Sequence, residues 1–323
     1  MSPDNKHPHI ASLPPLIKIL SVNTSVKKGT IKMPVETIQL SDIGVAGDAH
    51  SGKWHRQVSL LAKESIAKVS IEAGRSIQYG EFAENITTEG LLLHECRPLD
   101  RFQNEEIELE VTQIGKKCHG DNCSIFREVG NCVMPKEGIF ARVLRGGNLK
   151  AGDELEYLRK VINIQIITLS DRASAGEYAD KSGPQIKLLA EAYFTGINRP
   201  TAFTHHLVPD DPQQLTRLLR SGISQQIDVI FTTGGTGIGP RDFTPETVRP
   251  MLDKEIPGIM ELIRVKYGLE KPAALLSRSI AGVAGKTLIY CLPGSVKAVT
   301  EYCREILPTI EHSIYMIEGI DSH

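Results

Sequence analysis

Along the first half of the chain, apolar residues gather in short β-type runs at residues 17–22, 57–61 and 107–111, with Gly- and Asp-bearing turns between them. These runs predict strands. One stretch differs: residues 63–73 carry Ile66, Val69 and Ile71 among polar neighbours, which predicts a helix. A barrel or sandwich with a minor helical part fits this half. From about Arg159 the pattern changes. Residues 161–169 form a nearly continuous apolar run ending in Ser170-Asp171, as a strand buried on both faces of an α/β sheet does. A helix over 181–194, a strand over 202–208, a helix over 212–221 and strands over 227–232 and 287–292 follow. That alternation predicts a layered, mostly parallel sheet. The turn-rich stretch 146–153 precedes a last strand of the first half at 154–158, so the expected parts are a flexible segment 1–15 and domains over 16–158 and 159–323. No repeat of solenoid period is present.

Length supports that division, since 323 residues exceed what one hydrophobic core usually organises. With 41% hydrophobic and 24% charged residues, the composition is that of a globular protein and excludes a disordered or fibrous one. A formal charge of -2 leaves no general excess of cations for a nucleic-acid backbone. Any anion must be bound locally. The first fifteen residues are polar, carry Pro3, Pro8, Pro14 and Pro15, and lack the basic start and apolar run of a signal peptide. No apolar run is long enough for a membrane span, and six Cys are too few for a disulfide scaffold. The expected compartment is the cytoplasm, with no membrane partner.

Candidate chemistry in the second half centres on Thr233-Gly234-Gly235-Thr236-Gly237, directly after the strand predicted at 227–232. Glycines at the carboxyl end of a sheet strand let backbone N–H groups approach a phosphate closely, although Gly-rich turns after strands are also common. Arg241 and Asp242 add a phosphate fork and a hard-oxygen ligand for Mg²⁺, and Thr244-Pro245-Glu246 reads as a helix start with Thr at the N-cap. At Pro209-Asp210-Asp211-Pro212, Asp211 is a normal N-cap, whereas Asp210 is left over beside the proposed phosphate loop, where a metal would make it tolerable. Two more loops, one with Ser170, Asp171 and Arg172 and one with Pro293, Gly294, Ser295 and Lys297, also follow strands. Four such ends on one edge of a parallel sheet would share a crevice.

From about Val161 onward the chain resembles the molybdopterin adenylyltransferases, the MogA-like and MoaB-like proteins. The matching motifs run in order: Ser170-Asp171-Arg172, 180–184, Pro209-Asp210, 233–237, Arg241-Asp242, 244–246, Leu276-Ser277-Arg278 and 292–294. Val296 departs from the family, which often has Pro there. The resemblance implies a three-layer α/β domain, usually trimeric, that binds molybdopterin and MgATP and transfers AMP to the pterin's phosphate, releasing pyrophosphate. It implies Asp210 and Asp242 as catalytic, metal-holding aspartates, with Ser277 and Arg278 joining the loops above at the ligand.

In the first half, 47–61, 114–123 and 130–143 are rich in basic and thiol groups and resemble a MOSC domain, a β-barrel module, over about 16–158. That resemblance implies cofactor binding or a sulfur atom carried on a cysteine, best placed at Cys118 and next at Cys123. Lys116, Lys117 and His119 would favour a Cys118 thiolate. A zinc site from Cys118, His119, Cys123 and Cys132 is a rival whose spacing differs from structural zinc pairs. Cys96, Cys291 and Cys303 read as small buried hydrophobes, and His50 and His55 could be core or turn residues. The expected partners are molybdopterin and ATP, and beyond them another cofactor-biosynthesis protein or a molybdoenzyme client. The alternative from another class is a non-catalytic pterin carrier, which would have no reason to keep Asp210, Arg241 and Asp242 together.

Overall fold

In the computed structural model, which describes residues 14–116 and 132–320, the strand Leu16–Thr24 pairs antiparallel with both Ile86–Glu89 and Glu154–Leu158. This double pairing closes the first half's sheet on itself. Around the barrel the strands are Leu16–Thr24, Glu154–Leu158, Arg101–Gln103, Glu108–Ile114, Ile139–Arg145, Val58–Ala62 and Ile86–Glu89. All neighbours are antiparallel except Val58–Ala62 and Ile86–Glu89. Alternate side chains fill the interior: Ile17 and Ile19 are fully buried while Leu16 and Lys18 face out. The helix Lys63–Ala73 forms where its pattern predicts and stops at Gly74, whose φ of 64° is the left-handed cap that glycine favours. Ile66 and Val69 pack with Phe82 and Met134, but Ile71 is 82% exposed and takes no part in that core.

A second compact unit begins at Val161. Its six-stranded sheet runs in the order Thr201–Val208, Ile162–Leu169, Val229–Thr233, Thr287–Leu292, Ala281–Ala284, Lys254–Glu255. The first four are parallel, but the last two pairings are antiparallel, so the sheet expected to be mostly parallel is mixed. The reason is local. Ala281–Ala284 and Thr287–Leu292 are joined by Gly285-Lys286 alone, and a connection that short permits only a hairpin.

Helices cover both faces of this sheet. A Cβ on Gly222 of the helix Pro212–Ser224 would run into Gln165 and lie 2.7 Å from Ile230 Cδ1, which puts that helix on the face of Ile167, Ile230 and Ile289. A Cβ on Gly183 of the helix Ser182–Gly196 would lie 2.6 Å from Thr168 Oγ1, on the opposite face. Helix Val296–Ile317 packs beside Ser182–Gly196, burying Val299, Cys303, Ile306 and Ile310. The three layers thus follow from a period of two along each strand. Among the described residues, no helix is long and apolar enough to cross a membrane.

The barrel half also buries charge. The Lys32 ammonium is inaccessible and pairs with Asp48. Burial lowers the Lys32 pKa; burial would raise that of Asp48, but hydrogen bonds from His50 and Lys32 outweigh it and hold the carboxyl well below its usual range. Glu84 has no such counterweight: burial pushes it from 4.5 up to about 7, against hydrogen bonds from Gly80 N–H and Thr87 Oγ1 to its Oε1. Its folded pKa lies above its unfolded one, so the stability it supports is complete below pH 4.5 and declines as pH rises to about 7. A difference of this size is worth on the order of 3 kcal/mol. Glu84→Gln should therefore flatten the fall in unfolding temperature between pH 5 and pH 8, read by thermal denaturation. An unchanged slope would show that Glu84 is not its source.

Candidate active site

Four neighbouring parallel strands end on one edge of the second sheet, and each delivers a loop there. The first strand, Ile162–Leu169, has one neighbour that follows it in the chain on each side, so the direction of winding reverses there. Such a reversal opens a crevice outside the strand ends. The glycine loop occupies it. Gly234 has φ +107°, and a Cβ would lie 2.5 Å from the Leu169 carbonyl oxygen; Gly235 has φ +64°, and a Cβ would lie 2.5 Å from Thr244 Oγ1. Only glycine satisfies both limits at each position. Thr244 does not cap its helix as expected: it is wholly buried, and its hydroxyl donates to the Gly234 carbonyl at 2.8 Å. The helix Thr244–Val248 starts after Phe243, and Thr244 instead ties the glycine loop to it.

Two cavities flank this loop. The smaller, of about 360 Å³, is polar and contains Asp171, Arg172, Asp210, Arg241 and Asp242, which sequence reasoning assigned to one site. Reciprocal hydrogen bonds join two of its loops: Asp210 N–H donates to Asp171 Oδ1 at 2.8 Å, and Asp171 N–H to Asp210 Oδ2 at 3.3 Å. Asp211 caps its helix as predicted, accepting from Gln213 N–H at 2.8 Å. Arg241 Nη1 lies 2.7 Å from Asp171 Oδ2, both side chains exposed. Asp242 Oδ2 accepts from Gly239 N–H at 2.7 Å, which fixes the carboxylate against its own loop. Ser170 caps the turn Asp171–Ser174 and contacts the Tyr178 hydroxyl at 2.9 Å, while the Arg172 guanidinium sits 5.3 Å from the Tyr178 ring centre.

The larger cavity, of about 480 Å³, takes Gly234 to Gly237 as one wall, with Ser277, Pro293, Gly294, Ser295 and Lys297 around it. Gly235 and Asp242 border both cavities. Two expected ligand groups also have structural duties. Thr233 is fully buried, its hydroxyl donating to the Pro293 carbonyl at 2.9 Å. Arg278 clamps the loop, donating to the carbonyls of Gly237 at 2.6 Å and Asp242 at 2.9 Å and pairing with Glu246. Val296 is the first residue of its helix, after the Ser295 cap; Pro also suits that position, which reconciles this chain with the family's preference.

The barrel half has a cavity of its own, of about 380 Å³. Lys28, His50, Arg56 and Lys116 line it, and no acid does among the described residues. Arg56 lies 4.8 Å from the Trp54 ring centre and Lys116 5.9 Å from that of Phe140, so aromatic faces hold the cations apart. Ala83, on its wall, has φ 63°, a strained value for a residue with a side chain. Cys118 and Cys123, with Lys117 and His119, lie outside the described residues; Cys132 is half-buried and in no disulfide.

Comparison with known proteins bears on both halves. Residues 165–312 match the family described as "Probable molybdopterin binding domain", and residues 47–156 match the MOSC domain. The molybdopterin adenylyltransferase of Helicobacter pylori is 35% identical over 161 residues, 50% of this chain and 90% of that protein. The chain belongs to the molybdopterin adenylyltransferase family. The family relationship extends to larger proteins, of which the chain spans only a part: gephyrin of Dictyostelium discoideum is 38% identical over 22% of its length, and the molybdenum cofactor biosynthesis bifunctional protein of Chlorobaculum tepidum 36% over 49%. Among solved structures, the MoaB enzyme of Thermus thermophilus is 40% identical, covers 49% of this chain and 98% of its own, and superposes with a TM-score of 0.43.

For a molybdopterin adenylyltransferase relative, the residues that the motifs did not reveal lie on the far walls of the larger cavity: Ile263, Tyr267 and Lys271 on one helix and its end, Glu301 and Tyr302 on another. Their spacing is that of any amphipathic helix, so no local signal separates them from core. The motif at 180–184 does have a clear local role. Asp180 accepts from Ser182 N–H at 2.9 Å, Gly183 N–H at 3.2 Å and Thr168 Oγ1 at 2.7 Å, and His205 Nε2 lies 3.2 Å away. Gly234→Ala should lower stability by several kcal/mol and abolish ligand binding at this edge, because neither backbone can yield. Chemical denaturation of the purified variant checks it; wild-type stability would contradict the steric account.

Proposed function

We propose that the second half of the chain transfers AMP from ATP to molybdopterin and that the first half binds the cofactor or carries sulfur for it. The observation that carries the first part is the shared wall. Gly235 and Asp242 border two cavities at once, so a nucleotide in one and a pterin phosphate in the other would meet at the loop. A phosphate oxygen of molybdopterin attacks the α-phosphorus of ATP, the new P–O–P bond forms, the bond to the β-phosphate oxygen breaks, and pyrophosphate leaves. The backbone N–H groups of the glycine loop stabilise charge as it develops on the α-phosphate. Arg241 exchanges its exposed contact with Asp171 for a phosphate fork.

The side chains present fit Mg²⁺. Asp210 and Asp242 line the same polar cavity, which suits an ion that takes one or two carboxylates and completes its shell with substrate phosphates and water. Asp210 and Asp242 would hold it, and it would neutralise charge on the phosphates. The apolar strip of Leu262, Val265 and Leu269, all exposed on one helix, supports self-association of the kind expected from trimeric relatives.

Incubation with molybdopterin, ATP and Mg²⁺ should yield adenylylated pterin and pyrophosphate; a carrier protein would bind the pterin and yield neither. Asp242→Asn should keep the fold and pterin affinity and reduce turnover by two orders of magnitude or more. Near-normal turnover would remove Asp242 from the chemistry. The fragment 161–320 should suffice for transfer, since it encloses its own core.

For the first half, Lys28, Arg56 and Lys116, with the His50 imidazole beside them, support an anionic ligand in the barrel cavity, and Lys116 stands next in sequence to the segment that contains Cys118. The Cys118 thiol is proposed as the sulfur carrier. Burial pushes Cys96, Cys291 and Cys303 up to about 12, so brief alkylation at neutral pH should label Cys118 well before those three. Mass mapping reads the order. Joint protection of Cys118, Cys123 and Cys132 with stoichiometric zinc would favour the metal site instead.

A further inference from the structure

We infer that the barrel cavity is a site for a free inorganic oxyanion of tetrahedral shape and double charge, the class of molybdate and sulfate, and that the Arg56 guanidinium is its fork. The cavity and its positive charge are all that this assignment shares with cofactor binding in the first half.

Three cations meet there without acids. Lys28 is exposed, Arg56 and Lys116 are half-buried, and among the described residues no carboxylate pairs with any of them. Arg56 Nε is buried and has no hydrogen-bond partner among those residues. Like charges so placed repel one another, and an anion between them removes both the repulsion and the unmade hydrogen bond. Asp48, behind His50, does not serve: its side chain is 1% exposed, accepts from Ser25 N–H at 3.0 Å and His50 N–H at 2.9 Å, and pairs with the buried Lys32. His50 Nδ1 lies 3.4 Å from Asp48 Oδ1, which leaves Nε2 as the nitrogen that a ligand in the cavity can use.

The neutral groups on the wall are engaged. Ser59 Oγ donates to Asn85 Oδ1 at 3.0 Å and accepts from Asn85 N–H at 3.0 Å, Asn85 Nδ2 donates to the Asn23 carbonyl at 3.2 Å, and Trp54 Nε1 donates to the His50 carbonyl at 2.9 Å. So are the aromatic rings: Lys28 and Arg56 stand over Trp54, 5.9 and 4.8 Å from its centre, and Arg56 and Lys116 over Phe140, at 6.0 and 5.9 Å. A flat heterocycle would have to compete with these cations for a ring face and with existing bonds for its edge. Charge and shape remain for the site to read. The fork meets two oxygens of a tetrahedral ion at once, and the ammonium groups of Lys28 and Lys116 with His50 Nε2 are left for the other two. A carboxylate has only two oxygens, which the fork alone would fill, leaving the lysines without a counter-charge.

Trp54 is the only tryptophan of the chain and stands on this wall, so its fluorescence reports the cavity. The full chain is titrated at constant ionic strength with molybdate and, separately, with sulfate, so that the tighter of the two names the ion. Both should saturate, and perchlorate, a tetrahedral ion of single charge, should bind at least roughly ten-fold more weakly, the cost of one charged hydrogen bond. Arg56→Lys keeps the charge and loses the fork, and should weaken molybdate by a similar factor. Lys116→Gln removes a point charge, should weaken it several-fold, and serves if Arg56→Lys misfolds. Responses that do not saturate, or perchlorate and acetate binding as tightly as molybdate, would overturn the site in favour of general screening. Unchanged molybdate affinity in both variants would overturn it as well. Molybdopterin that changes Trp54 fluorescence while molybdate neither binds nor displaces it would overturn the inorganic assignment and leave cofactor binding intact. Saturable molybdate binding that molybdopterin cannot displace would support the assignment and take the cofactor out of this cavity.

Discussion

The approach of the Gly234 backbone to the end of the Ile162–Leu169 strand sets the dimensions of everything around it. With 2.5 Å between an added Cβ and the Leu169 carbonyl oxygen, the loop has no room to retreat and no side chain to hold it off. It is kept there from three sides: its own N–H donates to the Leu292 carbonyl, Thr244 donates to its carbonyl, and Gly294 backs onto it, so that a Cβ added there would lie 3.5 Å from the Gly234 Cα. The walls of both cavities are therefore fixed by backbone contacts between strand ends, which are stiffer than side-chain contacts. A site that positions two phosphates for in-line displacement needs that stiffness, because small errors in approach cost large factors in rate.

Electrostatics divides the two sides of this loop. On one, Asp171 pairs with Arg241 across loops and exchanges hydrogen bonds with Asp210, so these carboxylates already have partners. An incoming triphosphate with its metal can exchange those pairs without creating an uncompensated ion. On the other, Ile263, Ala273, Ala274 and Leu276 make much of the wall apolar, and Lys271, Lys297 and Glu301 bring charge of both signs to it. The barrel cavity is different again, with cations of one sign separated by aromatic faces. Each cavity thus has its own charge pattern although the chain as a whole is nearly neutral.

Much of the site was legible because its residues sit where strands end. Apolar runs followed by Ser, Asp or Gly mark such ends, and Gly234, Asp210, Asp242 and Ser295 were found that way. Asp211 was read correctly as a cap because capping is local. Thr244 was misread for the same reason: its local pattern says cap, but burial next to the glycine loop gives it a stronger partner. The antiparallel edge of the sheet was missed because Ala281–Ala284 is four small residues with no periodic signature. Tyr267, Glu301 and Tyr302 face a cavity only through the packing of two helices far apart in sequence, and periodicity cannot separate a helix that lines a cavity from one that lines a core.

The closing pair of the barrel has a consequence for synthesis. Ile17, near the start of the described chain, finds its partner only at Leu155, at the end of the unit. A chain emerging from the ribosome can build the intervening hairpins early, but the sheet stays open, with the edge of Leu16–Thr24 unpaired on that side, until the last strand arrives. Closure is thus the slowest contact to form and the one most exposed to mispairing with a neighbouring chain. The next strand, Ile162–Leu169, follows after only a few residues, so the barrel can shut just as the second core begins to assemble.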